Sequence, residues 1–154
     1  MNNADGRQGS SLMYRNILIA IEHSDADKAV LSHIEQLARL TGARLLLVHV
    51  ADGFAARHFE DLNLRESEEI KDDRAYLEQL CAELVSRGFD TRARLALGDP
   101  ASELVKVAAQ EEVDLIAMST HGHRFLNDLI RGSTADRLRH RVTVPVLMVR
   151  AMKT

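Results

Sequence analysis

Short apolar runs alternate with longer segments of helical period along the chain. The apolar runs cover residues 16–21, 44–50, 89–97, 113–118 and 144–149. Near-continuous hydrophobicity with β-branched residues predicts strands that are buried on both faces of a parallel sheet, whereas the more alternating third run predicts an edge strand. The segments between the runs carry apolar residues at helical spacing. The pattern therefore predicts an α/β domain with five strands and with helices on both faces of the sheet.

Capping residues predict where the helices begin and end. The predicted bounds are, in chain order, Ser24 and Asp25 to Gly42, residues 66–87, a start at Asp99 and Pro100, and a short helix that ends at His140. The helix over 66–87 is expected to bury the apolar stripe Ile70, Leu77, Leu80, Leu84 and Val85. Its opposite face is acidic and is expected to be solvated, and Cys81 is expected to be a small buried hydrophobe.

The order of the strands follows from the connections between them. Right-handed crossovers favour a doubly wound, Rossmann-like or flavodoxin-like sheet of order 3-2-1-4-5, in which the chain reverses direction between strands one and four. Ligands bind at such a reversal, outside the carboxyl ends of the strands. The loops that meet there begin at Glu22 and Ser119, so function is expected at these two loops.

Composition narrows the classes of function. The 20 basic and 23 acidic residues give a net charge of −3, and aromatic residues make up 4% of the chain without a tryptophan, which argues against nucleic-acid binding. No apolar stretch approaches the length of a membrane span. One cysteine excludes an internal disulfide and suits the cytoplasm. Residues 1–12 are expected to form a flexible polar leader, and residues 13–154 a single domain.

The segment from Ser119 to Arg141 is basic, because five arginines minus two aspartates give +3. Gly122 lets backbone amides approach an anion closely, and residues 132–134 place free amides and two hydroxyls at the start of a helix. Arg124 adds positive charge. The pattern is typical of a phosphate cradle, although turn glycines and an N-cap serine explain the same residues equally well.

Four motifs occur together in this chain. They are Asn16-Ile17-Leu18-Ile19-Ala20, Leu47-Val48-His49-Val50, Gly98-Asp99-Pro100 and Ser119-x-x-Gly122-x9-Gly132-Ser133. Through them the chain resembles the universal stress protein family from Tyr14 to Arg150. In the nucleotide-binding branch of that family the last motif reads Gly-x-x-Gly-x9-Gly-Ser/Thr and holds the ATP phosphates. A carboxylate after the first strand contacts ribose there, and strand ends contact adenine.

The resemblance implies ATP or AMP as the ligand, with or without Mg²⁺. It implies phosphate contacts at Ser119, Gly122, His123, Arg124, Gly132, Ser133 and Thr134. It implies ribose or adenine contacts at Ala20, Ile21, Glu22, Val50 and Met118. Two of these residues depart from the family pattern, since Ser119 replaces a glycine and Glu22 an aspartate. A serine hydroxyl still donates to a phosphate, and a glutamate still accepts from a ribose hydroxyl.

Enzyme motifs are absent from the sequence: it contains no Walker loop, no Gly-x-Gly-x-x-Gly, no Gly-x-Ser-x-Gly and no His-Glu-x-x-His. No catalytic residue and no metal site is therefore assigned, and His49 is expected to be a hydrogen-bonded interior histidine. The chain is expected to be a nucleotide-gated switch or adaptor with at most slow ATP hydrolysis. The alternative is a ligand-free interaction module of the same family.

A homodimer is expected in both cases. The strand over Val144–Val149 is apolar and lies at an edge in the predicted order, and an unpaired apolar edge is an aggregation hazard. The family resemblance implies the same partner, because many such proteins pair their last strands across a two-fold axis. No partner protein, nucleic acid or membrane is assigned.

Overall fold

The computed structural model describes residues 13–51, 68–120 and 133–151. The predicted leader over 1–12 lies outside these residues. The strands are β1 (Asn16–Ile21), β2 (Arg44–Ala51), β3 (Thr91–Leu97), β4 (Leu115–Ser119) and β5 (Val146–Val149). The helices in the described ranges are α1 (Ala26–Thr41), α2 (Glu68–Ser86), α3 (Pro100–Gln110) and α4 (Ser133–Arg139). The strands form one parallel sheet of order β3-β2-β1-β4-β5, which confirms the predicted doubly wound fold.

Helices cover both faces of the sheet, and each face has its own core. Ile19 of β1 packs with Ile34 of α1 and Leu77 of α2 on one face. Leu18 of β1 packs with Val107 of α3 and with α4 on the other. Each such buried side chain contributes roughly 1.5–3 kcal/mol relative to an exposed one. Since β1 is buried on both faces, it is the centre of the domain. Within the described ranges, no helix is long and apolar enough to cross a membrane.

The start of the first helix confirms one of its two predicted capping residues and corrects the other. The Ser24 hydroxyl accepts from the amide of Ala26 at 3.2 Å, as predicted. Asp25 has helical backbone angles (φ −61°, ψ −19°), and its side chain makes no capping hydrogen bond, because a capping residue needs extended backbone. Asp27 instead accepts hydrogen bonds from the amides of Glu22 and Ser24, at 2.8 and 3.1 Å. The helix ends as predicted, with Gly42 in the left-handed region at φ 70°.

The start of α3 confirms the prediction in detail. Asp99 has extended backbone and accepts from the amide of Ser102 at 2.9 Å, and Pro100 occupies the first helical position. Arg137 of α4 also donates to both oxygens of Asp99, at 2.9 Å each. The Arg137 guanidinium and the Ser102 contacts hold the pKa of Asp99 well below its usual range. One carboxylate thus begins α3 and joins it to α4.

Some predicted bounds and burials are corrected by the structure. Val85 is 53% exposed, since it follows the buried Leu84 by one position and is turned about 100° away from the core. The fourth strand begins at Leu115 rather than at residue 113. The last begins at Val146, because Pro145 has no amide hydrogen and contributes only its carbonyl to the sheet. Cys81 is half-buried rather than buried, and its Sγ donates to the Thr91 carbonyl at 3.5 Å.

Candidate functional site

The reversal point of the sheet lies between β1 and β4. These strands pair in parallel from Ile17 opposite Leu115 to Ile19 opposite Ala117, so their carboxyl ends lie side by side. Glu22 follows β1 there, and Ser119 ends β4, close enough to act on the Glu22 carboxyl. The structure therefore brings together the two predicted site residues that depart from the family pattern.

The residues predicted to contact ribose or adenine are largely buried where they lie in the strands. Ala20, Ile21 and Met118 are buried, and Val50 is half-buried against the core beneath α3 and α4. These positions therefore offer little side-chain surface to a ligand.

Two hydroxyls at the end of β4 lack hydrogen-bond partners. Ser119 is fully buried, and neither its Oγ nor the Thr120 Oγ1 has a partner among the described residues. Buried polar groups in folded proteins are paired in the great majority of cases, so each unpaired one calls for an explanation. Thr120 is a residue that the sequence reasoning missed. The signal was its position directly after Ser119, at the predicted reversal point.

Burial and neighbouring charges set the ionisation of Glu22. Desolvation raises the pKa of this half-buried carboxyl, and the repulsion of Asp27 adds to the rise. The hydroxyls of Ser119 and Ser24 and the nearby His49 act in the opposite direction. Ser119 does so without forming a well-aligned hydrogen bond, whereas Ser24 Oγ lies 3.4 Å from Glu22 Oε2. The carboxyl is thus held between several polar groups at the end of β1.

A polar network between α2 and the carboxyl ends of β1 and β2 lies next to Glu22. His49 contacts the Ile21 carbonyl through Nδ1 at 2.7 Å, which confirms the predicted interior histidine. Asp73 of α2 lies 2.6 Å from His23 Nδ1 and 3.2 Å from His49 Nε2. His23 has a left-handed backbone (φ 61°), which is uncommon for a residue other than glycine.

Two aromatic contacts complete the network. The His23 ring stacks on Tyr76 with 4.1 Å between the ring centroids, and the Tyr76 hydroxyl donates to Asp27 at 2.9 Å. Burial and the Asp27 carboxylate raise the pKa of Tyr76. The acidic side of α2 is therefore not wholly solvated as predicted. Asp73 is buried, because α2 turns it toward two imidazoles that no local pattern links to it.

Four of the predicted phosphate contacts, Gly122, His123, Arg124 and Gly132, lie outside the described residues. Of the others, Ser133 is the first residue of α4, and Thr134 is half-buried in its first turn. The two hydrogen bonds from Arg137 to Asp99 hold this helix against the start of α3. Among the described residues, no group of three or more His, Cys, Asp or Glu side chains is arranged to hold a metal ion.

The chain matches the universal stress protein family model over residues 13–150. It belongs to the universal stress protein family. The family assignment agrees with the doubly wound fold and with the motifs that carry the resemblance.

Individual relatives cover nearly the whole of this universal stress protein. Universal stress protein MJ0577 of Methanocaldococcus jannaschii is 29% identical over 160 residues, which span 91% of this chain and 97% of the relative. A solved structure of MJ0577 superposes with a TM-score of 0.78 at 27% identity, covering 92% of this chain and 99% of the other. A universal stress protein of Thermus aquaticus is 33% identical over 142 residues, which span 90% of this chain and all (100%) of the relative.

A more distant structure shares the fold. The universal stress protein from Archaeoglobus fulgidus in complex with dAMP has a TM-score of 0.64 at 21% identity, covering 89% of this chain and 98% of the other.

Proposed function

We propose that this universal stress protein binds an adenine nucleotide, ATP or AMP, at the carboxyl ends of β1 and β4. The base and ribose lie against Ala20, Ile21, Glu22, Val50 and Met118, and the phosphates face the loop that follows Ser119. The bound nucleotide acts as a signal, so the protein works as a switch or adaptor and not as an enzyme.

The observation that carries this proposal is the pair of unpartnered hydroxyls at the end of β4. Ser119 Oγ is buried without a hydrogen bond to any described residue, beside a carboxyl that is itself partly desolvated. An anion supplies the acceptors that these hydroxyls lack, and the Glu22 carboxylate accepts from a sugar hydroxyl. Support also comes from the A. fulgidus relative, whose structure is a complex with dAMP.

The test titrates ATP and AMP into the wild type and into Ser119→Ala. Binding is measured by calorimetry and by the rise of the melting temperature. Selective binding to the folded state raises the melting temperature by mass action. Loss of one hydrogen bond to a charged oxygen weakens binding by about 1.5–3 kcal/mol. The variant without ligand should still fold, because the hydroxyl that it removes forms no hydrogen bond of good geometry to any described residue.

The exposed Ser32 of α1 provides the matched control, and Ser32→Ala should leave affinity unchanged. If neither nucleotide raises the melting temperature of the wild type, nucleotide binding is refuted and the ligand-free interaction module takes its place. If the wild type binds and Ser119→Ala binds equally well, the nucleotide lies elsewhere.

The proposed assembly is a homodimer in the cytoplasm, joined through β5 and its flanking residues over Val144–Val149. The strand lies at the edge of the sheet, and Met148 is 40% exposed there. An edge strand offers unpaired amides and carbonyls to a second copy of itself. A two-fold axis at this edge makes the interface self-complementary.

A further inference from the structure

The turn that presents Glu22 at the reversal point of the sheet contains an unusual backbone conformation. His23 has φ 61°, a left-handed value that residues with a Cβ atom disfavour. Such a conformation persists only where the surrounding contacts hold it. The contacts of residues 22–24 therefore show what fixes the direction in which Glu22 leaves β1.

The backbone on either side of His23 is bound to one buried carboxylate. The amides of Glu22 and Ser24 donate to the two oxygens of Asp27, at 2.8 and 3.1 Å. A left-handed residue in a turn brings neighbouring amides toward the same anion. The same turn places Ser24 Oγ 3.4 Å from Glu22 Oε2. The orientation of the Glu22 carboxyl thus depends on the conformation of His23.

The side chain of His23 is held by α2. Its Nδ1 donates to Asp73 Oδ1 at 2.6 Å, because a carboxylate oxygen only accepts. Its ring stacks on Tyr76, with 4.1 Å between the centroids and 16° between the ring planes. The Tyr76 hydroxyl also donates to Asp27, at 2.9 Å. Helix α2 therefore contacts the turn at two points, the imidazole ring and the carboxylate that binds the amides.

We propose that His23 is a positioning residue for the nucleotide site, which sets the direction of the Glu22 carboxyl through its contacts with α2. The ring contacts compensate for the unfavourable backbone conformation, and that conformation presents Glu22 beside Ser119. The inference rests on the proposed function and adds a coupling to it. Nucleotide affinity depends on the position of α2, a helix that contributes none of the residues proposed to contact the nucleotide.

Substitutions of His23 separate the ring contacts from the backbone conformation. His23→Ala removes both ring contacts and keeps a Cβ atom, so the left-handed conformation is no longer compensated. In His23→Asn the side-chain amide nitrogen takes the position of Nδ1 and donates to Asp73, and asparagine is several-fold enriched in the left-handed region. His23→Gly takes the place of His23→Ala where the latter does not fold, because glycine removes the ring without strain and leaves the backbone free to move. The matched control is His33→Ala, since His33 is exposed on α1.

The first measurement is the affinity of the full chain for ATP and AMP by calorimetry, at a temperature at which every variant is folded. His23→Ala should bind nucleotide about fivefold or more weakly than the wild type, because the conformation that presents Glu22 is then less populated. His23→Asn should recover most of that loss, and His33→Ala should bind as the wild type does. A purely structural role would lower the melting temperature of His23→Ala and leave its affinity unchanged, and that result overturns the inference.

The second measurement is amide hydrogen exchange in the ligand-free chain, followed by NMR. The amides of Glu22 and Ser24 are compared with amides in the centre of β1, which report global unfolding. Relative to those, the two amides should exchange about fivefold or more faster in His23→Ala and at nearly the wild-type rate in His23→Asn. Equal relative rates in His23→Ala and the wild type overturn the inference even where nucleotide binds. Failure of the wild type to bind either nucleotide refutes the proposed function instead, and the exchange rates alone then decide whether His23 holds the turn.

Discussion

Replacing Asp27 by alanine tests whether the segment after β1 is held in place by this one carboxylate. Asp27 is fully buried and accepts three hydrogen bonds, from the amides of Glu22 and Ser24 and from the Tyr76 hydroxyl, at 2.8, 3.1 and 2.9 Å. Alanine removes both acceptor oxygens and leaves three donors without partners. We therefore expect a large loss of stability, and a loss of the backbone conformation that presents Glu22.

The magnitude follows from the number and kind of bonds. A hydrogen bond to a charged group contributes about 1.5–3 kcal/mol, and a buried donor left without a partner costs about 1–3 kcal/mol. Glu22 and Ser24 are only half-buried, so water reaches part of the vacated site and the total stays below the simple sum. We expect Asp27→Ala to lower the free energy of unfolding by about 3–5 kcal/mol. For a chain of this length that corresponds to a melting temperature roughly 6–20 °C lower.

Urea unfolding followed by circular dichroism measures this loss directly. Asp25→Ala is the matched control, because Asp25 lies two positions away and is 84% exposed. Among the described residues its side chain pairs with Lys28, at 3.3 Å, which is itself 83% exposed. That variant should change stability by less than about 0.5 kcal/mol. A loss below about 1 kcal/mol in Asp27→Ala, or equal losses in the two variants, would refute the reasoning.

Three further predictions concern charge and assembly. Asp99→Asn retains a good helix cap but removes the charged pair with Arg137. Urea unfolding at pH 3 to 7 should therefore show a variant that is less stable than the wild type by a constant amount above about pH 5, and by a shrinking amount below about pH 4. Nucleotide affinity measured by calorimetry should fall on acidification as Glu22 takes up a proton. The fall should begin at a higher pH than for an ordinary glutamate, because burial raises the pKa of Glu22, and Glu22→Gln should bind weakly at every pH. Met148→Lys should give a folded monomer by light scattering at micromolar concentration, because the charge enters the β5 edge.

Each of these predictions has an outcome that contradicts it. A deficit in Asp99→Asn that persists unchanged at pH 3 would show that the charged pair contributes nothing. Glu69 is exposed on α2, and a Glu69→Gln variant that matched Glu22→Gln would remove Glu22 from the site. A wild-type protein that is already monomeric would exclude the β5 dimer. Leu147 is unsuitable as the dimer test because it packs against the core.

Local patterns in the sequence were sufficient to predict the main elements of the fold. Continuous apolar runs predicted the parallel strands, and Asp99 with Pro100 predicted the start of α3, because these signals depend on neighbouring residues alone. The right-handedness of the crossover connections then predicted the order of the strands. The polar network was not predictable in the same way. His23 and Asp73 are 50 positions apart, and their contact depends on how α2 is rotated about its axis. The missing partner of Ser119 depends likewise on everything packed around it.

The central position of β1 has a consequence for how the protein is made. Asn16 of β1 is joined to Asp114, next to β4, across 98 positions of the chain, so the reversal point does not exist until most of the polypeptide has been synthesised. At a ribosomal rate of about 5–20 residues per second, β1 waits about 5–20 s for its second neighbour. During that time one edge of β1 lacks its partner strand, and the later pairing with β4 closes a loop across those 98 positions. The nascent chain is therefore most exposed to aggregation at the strand that later carries the site.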